Sequence, residues 1–113
     1  MGAYPELEIV QIYIDEDQTH EGRPLYDAIV EEARNSGLTG AMVSRGIMGF
    51  WKYGPVSTTK LLALSQNLPV MIQIAGEQEQ IEALLPKLDV MIKQGLVTLE
   101  TKRVVLDRDG GDQ

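Results

Sequence analysis

The segment Ser44-Arg45-Gly46-Ile47-Met48-Gly49-Phe50-Trp51-Lys52-Tyr53-Gly54 holds the residue types best suited to grip a small ligand. Its glycines let backbone amides face a bound group with no Cβ in the way. Arg45 and Lys52 supply positive charge, and Phe50, Trp51 and Tyr53 offer flat apolar surfaces for stacking. Arg45, Gly46, Gly49, Phe50, Trp51 and Lys52 are therefore the candidate ligand-binding residues, and Arg103, beside Lys102 on the last apolar run, is a candidate to join the same cleft. The same pattern also suits a bulged strand running into a loop, with Phe50 and Trp51 in a core or at an interface.

Catalytic chemistry is poorly supplied. The chain has one histidine and no cysteine, so a nucleophile with an imidazole base would have to be built around His20, in a polar loop. The spacing offers no HExxH, P-loop, EF-hand or GxGxxG. No catalytic residue is assigned, and the chain reads as a non-enzyme. His20 with Glu16, Asp17 and Glu21 could make a weak oxygen and nitrogen metal site, or simply a solvated acidic loop; no metal ligand is assigned. Arg23 stands at a helix start, an unfavourable place for a cation, and is expected to reach a carboxylate on another element or subunit.

These residues need a scaffold, and the apolar pattern describes one. Leu7–Ile14 reads as a buried central strand whose alternation shifts near Val10. Asp15–Gly22 is a polar loop. Pro24 suits a helix start, and Leu25, Ala28, Ile29 and Ala33 recur at helical spacing before a stop at Gly37. A second strand is expected from Ala41 to Trp51, with Gly46 and Gly49 marking a bulge or close backbone approach. Tyr53–Ser57 reads as an exposed loop, and Lys60–Leu64 as a short strand or a turn of helix. Leu68–Ala75 is another strand, and a second helix follows Gly76 with Ile81, Leu84, Leu85, Leu88 and Ile92 on one face. Pro86 should kink or break that helix. Gly95 ends it, and Leu96–Leu106 is the last strand. Residues 1–6 and 107–113 read as flexible tails.

The order β–α–β–β–α–β predicts an α+β fold of ferredoxin-like type, an antiparallel sheet with two helices on one face, in a single domain over residues 1–113. Apolar residues on both strand faces call for a cover on the bare side, and a second copy of the chain is the simplest one. A chain of 113 residues with 43% hydrophobic content can bury one core. Its net charge of −7 and pI near 4.6 leave no basic stripe for nucleic acid. No 18-residue apolar run or signal sequence is present, so neither membrane insertion nor secretion is expected; with no cysteine, a cytoplasmic location fits.

Four stretches in one order carry a resemblance: His20–Tyr26, Gly37–Ala41, Arg45–Phe50 and Leu64–Val70, completed by Gly95–Thr98. They resemble the PII-like domain-of-unknown-function family DUF190, over about Leu7 to Val105. The resemblance implies a ferredoxin-like homotrimer related in fold to the PII signalling proteins and CutA, with the loop after the second strand projecting outward. It implies a regulatory, ligand-sensing role, with a small anionic ligand or an adenine nucleotide in clefts between subunits. A regulated membrane transporter is implied as a partner, because members are often encoded beside a fluoride-exporting channel. The alternative it carries is a CutA-like metal-binding or purely structural trimer. Gly49-Phe50 is similar to the Gly-Phe pair that ends the second strand of PII proteins. The next residue there is usually glycine; Trp51 in that place either stacks on a base or closes the cleft. The glycine-rich phosphate loop of PII proteins has no counterpart in Gln94–Val97.

Overall fold

The computed structural model describes residues 4–52, 56–58 and 67–110. Among them the chain forms β1 (Glu6–Asp15), β2 (Thr19–His20), β3 (Arg23–Pro24), α1 (Leu25–Asn35), β4 (Gly40–Arg45), β5 (Met48–Gly49), β6 (Ser57–Thr58), β7 (Pro69–Gly76), α2 (Gln78–Met91) and β8 (Leu96–Arg103). Four strands make one antiparallel sheet in the order β4-β7-β1-β8. Each helix therefore links strands that have a third strand between them, which is the interleaved double βαβ plan expected from the sequence. The expectations for Tyr53–Pro55, for Lys60–Leu64 and for the outermost tail residues lie outside the described residues. No helix among the described residues is long and apolar enough to cross a membrane.

One sheet face carries the core. Val10, Ile12 and Ile14 of β1 and Val70, Ile72 and Ile74 of β7 alternate inward, as strand geometry requires. They meet Leu25, Ala28, Ile29 and Ala33 of α1 and Ile81, Leu84, Leu88 and Met91 of α2 in a single cluster. The alternation in β1 does not shift at Val10. Ile9 and Val10 are adjacent apolar residues on opposite faces, each in regular register with β7. The apparent shift came from apolar side chains on both sides.

No helix among the described residues lies on the other sheet face. The paired residues Met42, Gln73, Gln11 and Thr98 form one row across it, and Ser44, Met71, Tyr13 and Leu96 form the next. Its centre is thus amide and hydroxyl, flanked by Ile9, Met71 and Leu96, a more polar surface than the sequence suggested.

The helix ends follow local chemistry. At the end of α1, Leu38 N–H donates to Ala33 O (3.1 Å) and Gly37 N–H to Arg34 O (3.1 Å), with Gly37 at φ +80°. This is a Schellman closure in which glycine takes the left-handed position. Gln80 accepts from Glu77 N–H at the start of α2 (2.9 Å) and donates to Gly37 O (2.8 Å), tying one helix start to the other helix end. Pro86 neither breaks α2 nor ends it; the helix runs from Gln78 to Met91, and Pro86 sits on its exposed side, where water can serve the carbonyl left without a partner. Helix α2 stops at Met91, ahead of Gly95. Arg23, in β3, reaches Asp27 (3.4 Å) and Glu31 of the adjacent α1, carboxylates of another element of the same chain.

Two predicted strands are shorter in the fold. The second ends at Arg45 instead of Trp51, because the chain turns at Gly46 and Met48–Gly49 pairs with Ser57–Thr58 in a separate ribbon. The last ends at Arg103; Val104 N–H still donates to Pro5 O (2.8 Å), but Val105 and Leu106 are exposed beyond the sheet. The polar loop 15–22 contains half of a small hairpin, β2 with β3, whose turn residues Glu21 (φ +52°) and Gly22 (φ +83°) are both left-handed, as a two-residue turn of type I′ requires.

Candidate functional site

At one end of the main sheet, β1 and β4 finish, β7 begins, and the chain enters β8. Their ends frame a cleft of about 840 Å³. Tyr13, Ile14 and Asp15 close it from β1, Ser44 and Arg45 from β4, Pro69, Val70 and Met71 from β7, and Gln94 and Gly95 from the approach to β8. The wall that leaves the sheet is Gly46, Gly49, Phe50, Trp51 and Lys52, with Gln18 and Asn67 opposite. Six of the seven residues singled out in the sequence therefore line one cavity.

Arg103 is the seventh, and it lies elsewhere. β8 enters beside the cleft, where Leu96 pairs with Tyr13, and runs away from it until Arg103 pairs with Glu6. Seven residue steps of strand separate the two ends, about 23 Å at the usual rise. Within one chain Arg103 and the cleft are at opposite ends of the sheet.

The glycines have a structural reason to be glycine. A Cβ on Gly46 or on Gly49 would come within 3.0 Å of the Pro69 ring, so both allow the wall to pack against the start of β7. Gly46 N–H donates to Pro69 O (2.8 Å), so this amide is already used and does not face a ligand. The close backbone approach expected from the sequence is present, and its partner is a proline. Gly95 is constrained more tightly. Its φ is +153°, and a Cβ there would lie 2.7 Å from Tyr13 O and 2.8 Å from Ile14 Cγ2.

Arg45 is held by Glu16, an acid whose place in the sequence suggests a solvated loop. Its Nε donates to both carboxylate oxygens of Glu16 (3.1 and 3.0 Å). Glu16 Oε1 also accepts from Leu68 N–H (3.0 Å), and Glu16 N–H donates to Leu68 O (3.0 Å). Asn67 Oδ1 accepts from Asp17 N–H nearby (3.3 Å). Residues 16–17 thus staple the entry to β7 and fix the guanidinium at the cleft. The Arg45 hydrogen bond holds the Glu16 carboxyl below its ordinary value; partial burial opposes this, and the Leu68 N–H adds to the lowering. The same pairing raises Arg45.

The aromatic wall is open to solvent. Phe50 is 66% exposed and Trp51 40% exposed, far above ordinary core residues. The Lys52 ammonium lies 5.6 Å from the centre of the Trp51 ring, within cation–π range. Lys52 has φ +49°, an uncommon conformation for a side-chain-bearing residue. None of the ion pairs among the described residues involves Lys52. Trp51 forms part of the wall and does not fill the cavity.

His20 is not among the lining residues. It sits in the β2–β3 hairpin, 3.8 Å from Glu21. Among the described residues searched, no group of three or more histidine, aspartate or glutamate side chains is arranged to hold a metal ion. Gln18, Asn67, Pro69 and Gln94 were missed as cleft residues, since isolated amides have no spacing signature. Pro69 carried the one usable signal, a proline opening a strand.

The sequence and its fold are matched by known proteins. Residues 7–104 match the model of DUF190, described as uncharacterized ACR. The chain belongs to the DUF190 family. A UPF0166 protein of Aquifex aeolicus (strain VF5) is 36% identical over 97 residues, covering 86% of this chain and 91% of that protein. Among solved structures, a putative PII-like signaling protein from Thermus thermophilus aligns with TM-score 0.63 at 16% identity, over 88% of this chain and 90% of that one. CPII, a nitrogen regulatory PII-like protein from Thiomonas intermedia K12 bound to ADP, AMP and bicarbonate, gives TM-score 0.60 at 15% identity, over 90% and 91%. The divalent ion tolerance protein CutA1 from Ehrlichia chaffeensis gives 0.56 at 8%, over 91% and 85%. At such identities the likeness concerns the fold. This DUF190 chain is an α+β protein with the sheet and helix plan of PII-like proteins and CutA1, as the sequence resemblance implied.

Proposed function

We propose that this protein is a regulatory, ligand-sensing module without catalytic activity, which works as a homotrimer and takes a small anionic or nucleotide ligand in the cleft at the end of its sheet. The observation that carries this reading is the cleft wall itself. Two solvent-facing aromatic rings, Phe50 and Trp51, stand beside a lysine at the mouth of a cavity of about 840 Å³, within the size range of small-molecule sites. Exposed rings on a rigid frame suit stacking against a planar group, and base stacking on an aromatic is worth roughly 1–3 kcal/mol. The described lining residues include no histidine or cysteine, so none of them pairs a nucleophile with an imidazole base.

The fold likeness to CPII, whose structure holds ADP and AMP, makes adenine nucleotides the first ligands to try. The sheet face without a helix among the described residues and the exposed positions of β8 support self-association. Calorimetric titration of the full chain with adenosine, AMP, cyclic AMP, ADP and ATP tests the reading, with Trp51→Ala expected to weaken binding by about tenfold. Heat from none of these ligands would overturn the nucleotide reading. Light scattering should give three times the chain mass of 12.5 kDa; a monomer at working concentration would overturn the trimer.

A further inference from the structure

Arg45 is gripped at one nitrogen and open at two. Among the described residues its side-chain bonds run through Nε alone, to both Glu16 carboxylate oxygens (3.1 and 3.0 Å). A guanidinium has five N–H donors, so four remain on the terminal nitrogens, and this side chain is 56% exposed. Arg45 lines the cavity and Glu16 does not, so the acid holds the guanidinium from outside the cleft. We propose, on the reading that this cleft takes an anionic ligand, that the terminal nitrogens of Arg45 receive the ligand's phosphate group. Lys52 supplies the second charge, and Glu16 is the positioning residue that aims the fork.

Both ends of the Arg45 side chain are fixed. Its backbone pairs with Val70 across the β4–β7 ladder, and the next amide, Gly46 N–H, is bonded to Pro69 O (2.8 Å). Glu16 is itself held: its Oε1 accepts from Leu68 N–H (3.0 Å), and its own N–H donates to Leu68 O (3.0 Å). A long cation restrained in this way loses little further freedom when an anion binds. Its planar fork can take two phosphate oxygens at once, which an ammonium cannot match in geometry. Lys52 also lines the cavity, and none of the ion pairs among the described residues involves it. The chain has a net charge of −7, yet the described lining holds two cations against one acid, Asp15. A phosphate ester carries about two negative charges at neutral pH, which that pair of cations matches.

Calorimetric titration of the full chain with adenosine, AMP and inorganic phosphate tests this. AMP should bind at least about tenfold more tightly than adenosine. Arg45→Ala should remove most of that preference, and Arg45→Lys, which keeps the charge but loses the fork, should retain only part of it. Glu16→Ala is the decisive variant, since deleting an acid beside a cation should by charge alone strengthen anion binding. Through lost aim it should instead shrink the AMP preference by at least about threefold, and Glu16→Gln, which keeps an acceptor oxygen, should restore part of it. A merely structural Glu16 would lower both affinities together and leave their ratio unmoved. In an Arg45→Ala background, Glu16→Ala should cost no further preference, because it acts through Arg45. Equal affinities for AMP and adenosine in the wild type overturn the phosphate subsite and leave the nucleotide reading standing. A preference unmoved or increased in Glu16→Ala overturns the positioning role. Silence with adenosine and AMP, but phosphate heat that Arg45→Ala abolishes, overturns the nucleotide reading alone; silence with all three overturns both.

Discussion

Strands β7 and β8 flank the same central strand, each through eight paired residues, yet their surroundings differ completely. β7 alternates between half-buried and buried along its whole length, with β4 on its far side and both helices over one face. β8 is exposed at every position, including Val97 (38%) and Leu99 (52%), which point to the helix side of the sheet but lie beyond the helices' reach. Apolar residues in β7 finish the core of the chain. Those in β8 are left exposed, and a strand with a free edge and apolar side chains is the kind of surface that invites another chain.

The largest expected effect lies on the β7 side. Ile72→Ala should cost about 2–5 kcal/mol in urea unfolding, the range for a fully buried aliphatic side chain cut back to a methyl group. A loss under about 1 kcal/mol would mean that β7 does not carry the core. Next is the entry to β8. Gly95→Ala forces a Cβ against Tyr13 O and Ile14 Cγ2 at a backbone angle that glycine alone adopts readily, and should cost about 1–3 kcal/mol. Wild-type stability in that variant would show that the β8 entry is free to move.

The entry to β7 is held by charge instead of by close approach. Glu16→Gln should cost about 1 kcal/mol at neutral pH, a modest figure because Arg45 is more than half exposed. The Glu16 carboxyl titrates lower in the folded chain than in the unfolded one, where it has its ordinary value of 4.5. Its contribution is therefore complete above that value and is lost as the pH falls through the lowered folded value. Unfolding curves of wild type and variant should differ at pH 7 and converge in acid; a gap unchanged at pH 3 would remove the ion pair as the cause. The smallest effect belongs to β8. Leu99→Ala should change the stability of the isolated chain by less than about 1 kcal/mol, while lowering the concentration range over which oligomers persist in light scattering. Destabilisation of the isolated chain as large as that of Ile72→Ala would erase the contrast between the two strands.

The contrast also separates what could be read in the sequence from what could not. Leu25, Ala28, Ile29 and Ala33, and later Ile81, Leu84 and Leu88, announce their helices because helical spacing is local. Element order then fixes the sheet plan. β8 reads as a strand for the same reason, but whether Val97 and Leu99 are covered depends on how far two helices extend across a sheet, which no local spacing encodes. Pro86 leaves α2 unbroken because the penalty for an interior proline falls when the freed carbonyl faces water. The aromatic and basic wall of the cleft was legible, since six unusual residues fall within eight positions from Arg45 to Lys52. Glu16 was not, because its partners Arg45 and Leu68 are far along the chain and meet it only in the folded sheet. Arg103 was assigned to the cleft by charge type, and strand direction put it at the other end.

Trp51 is the sole tryptophan of the chain and stands at the mouth of the cleft, not in the core. Its indole emission therefore reports on the rim and not on the packing of α1 and α2. A molecule that stacks on the ring, or draws the Lys52 ammonium away from it, changes that emission directly. The protein carries a built-in optical gauge of its own cleft, and following it beside far-ultraviolet circular dichroism during urea unfolding separates loosening of the rim from melting of the sheet.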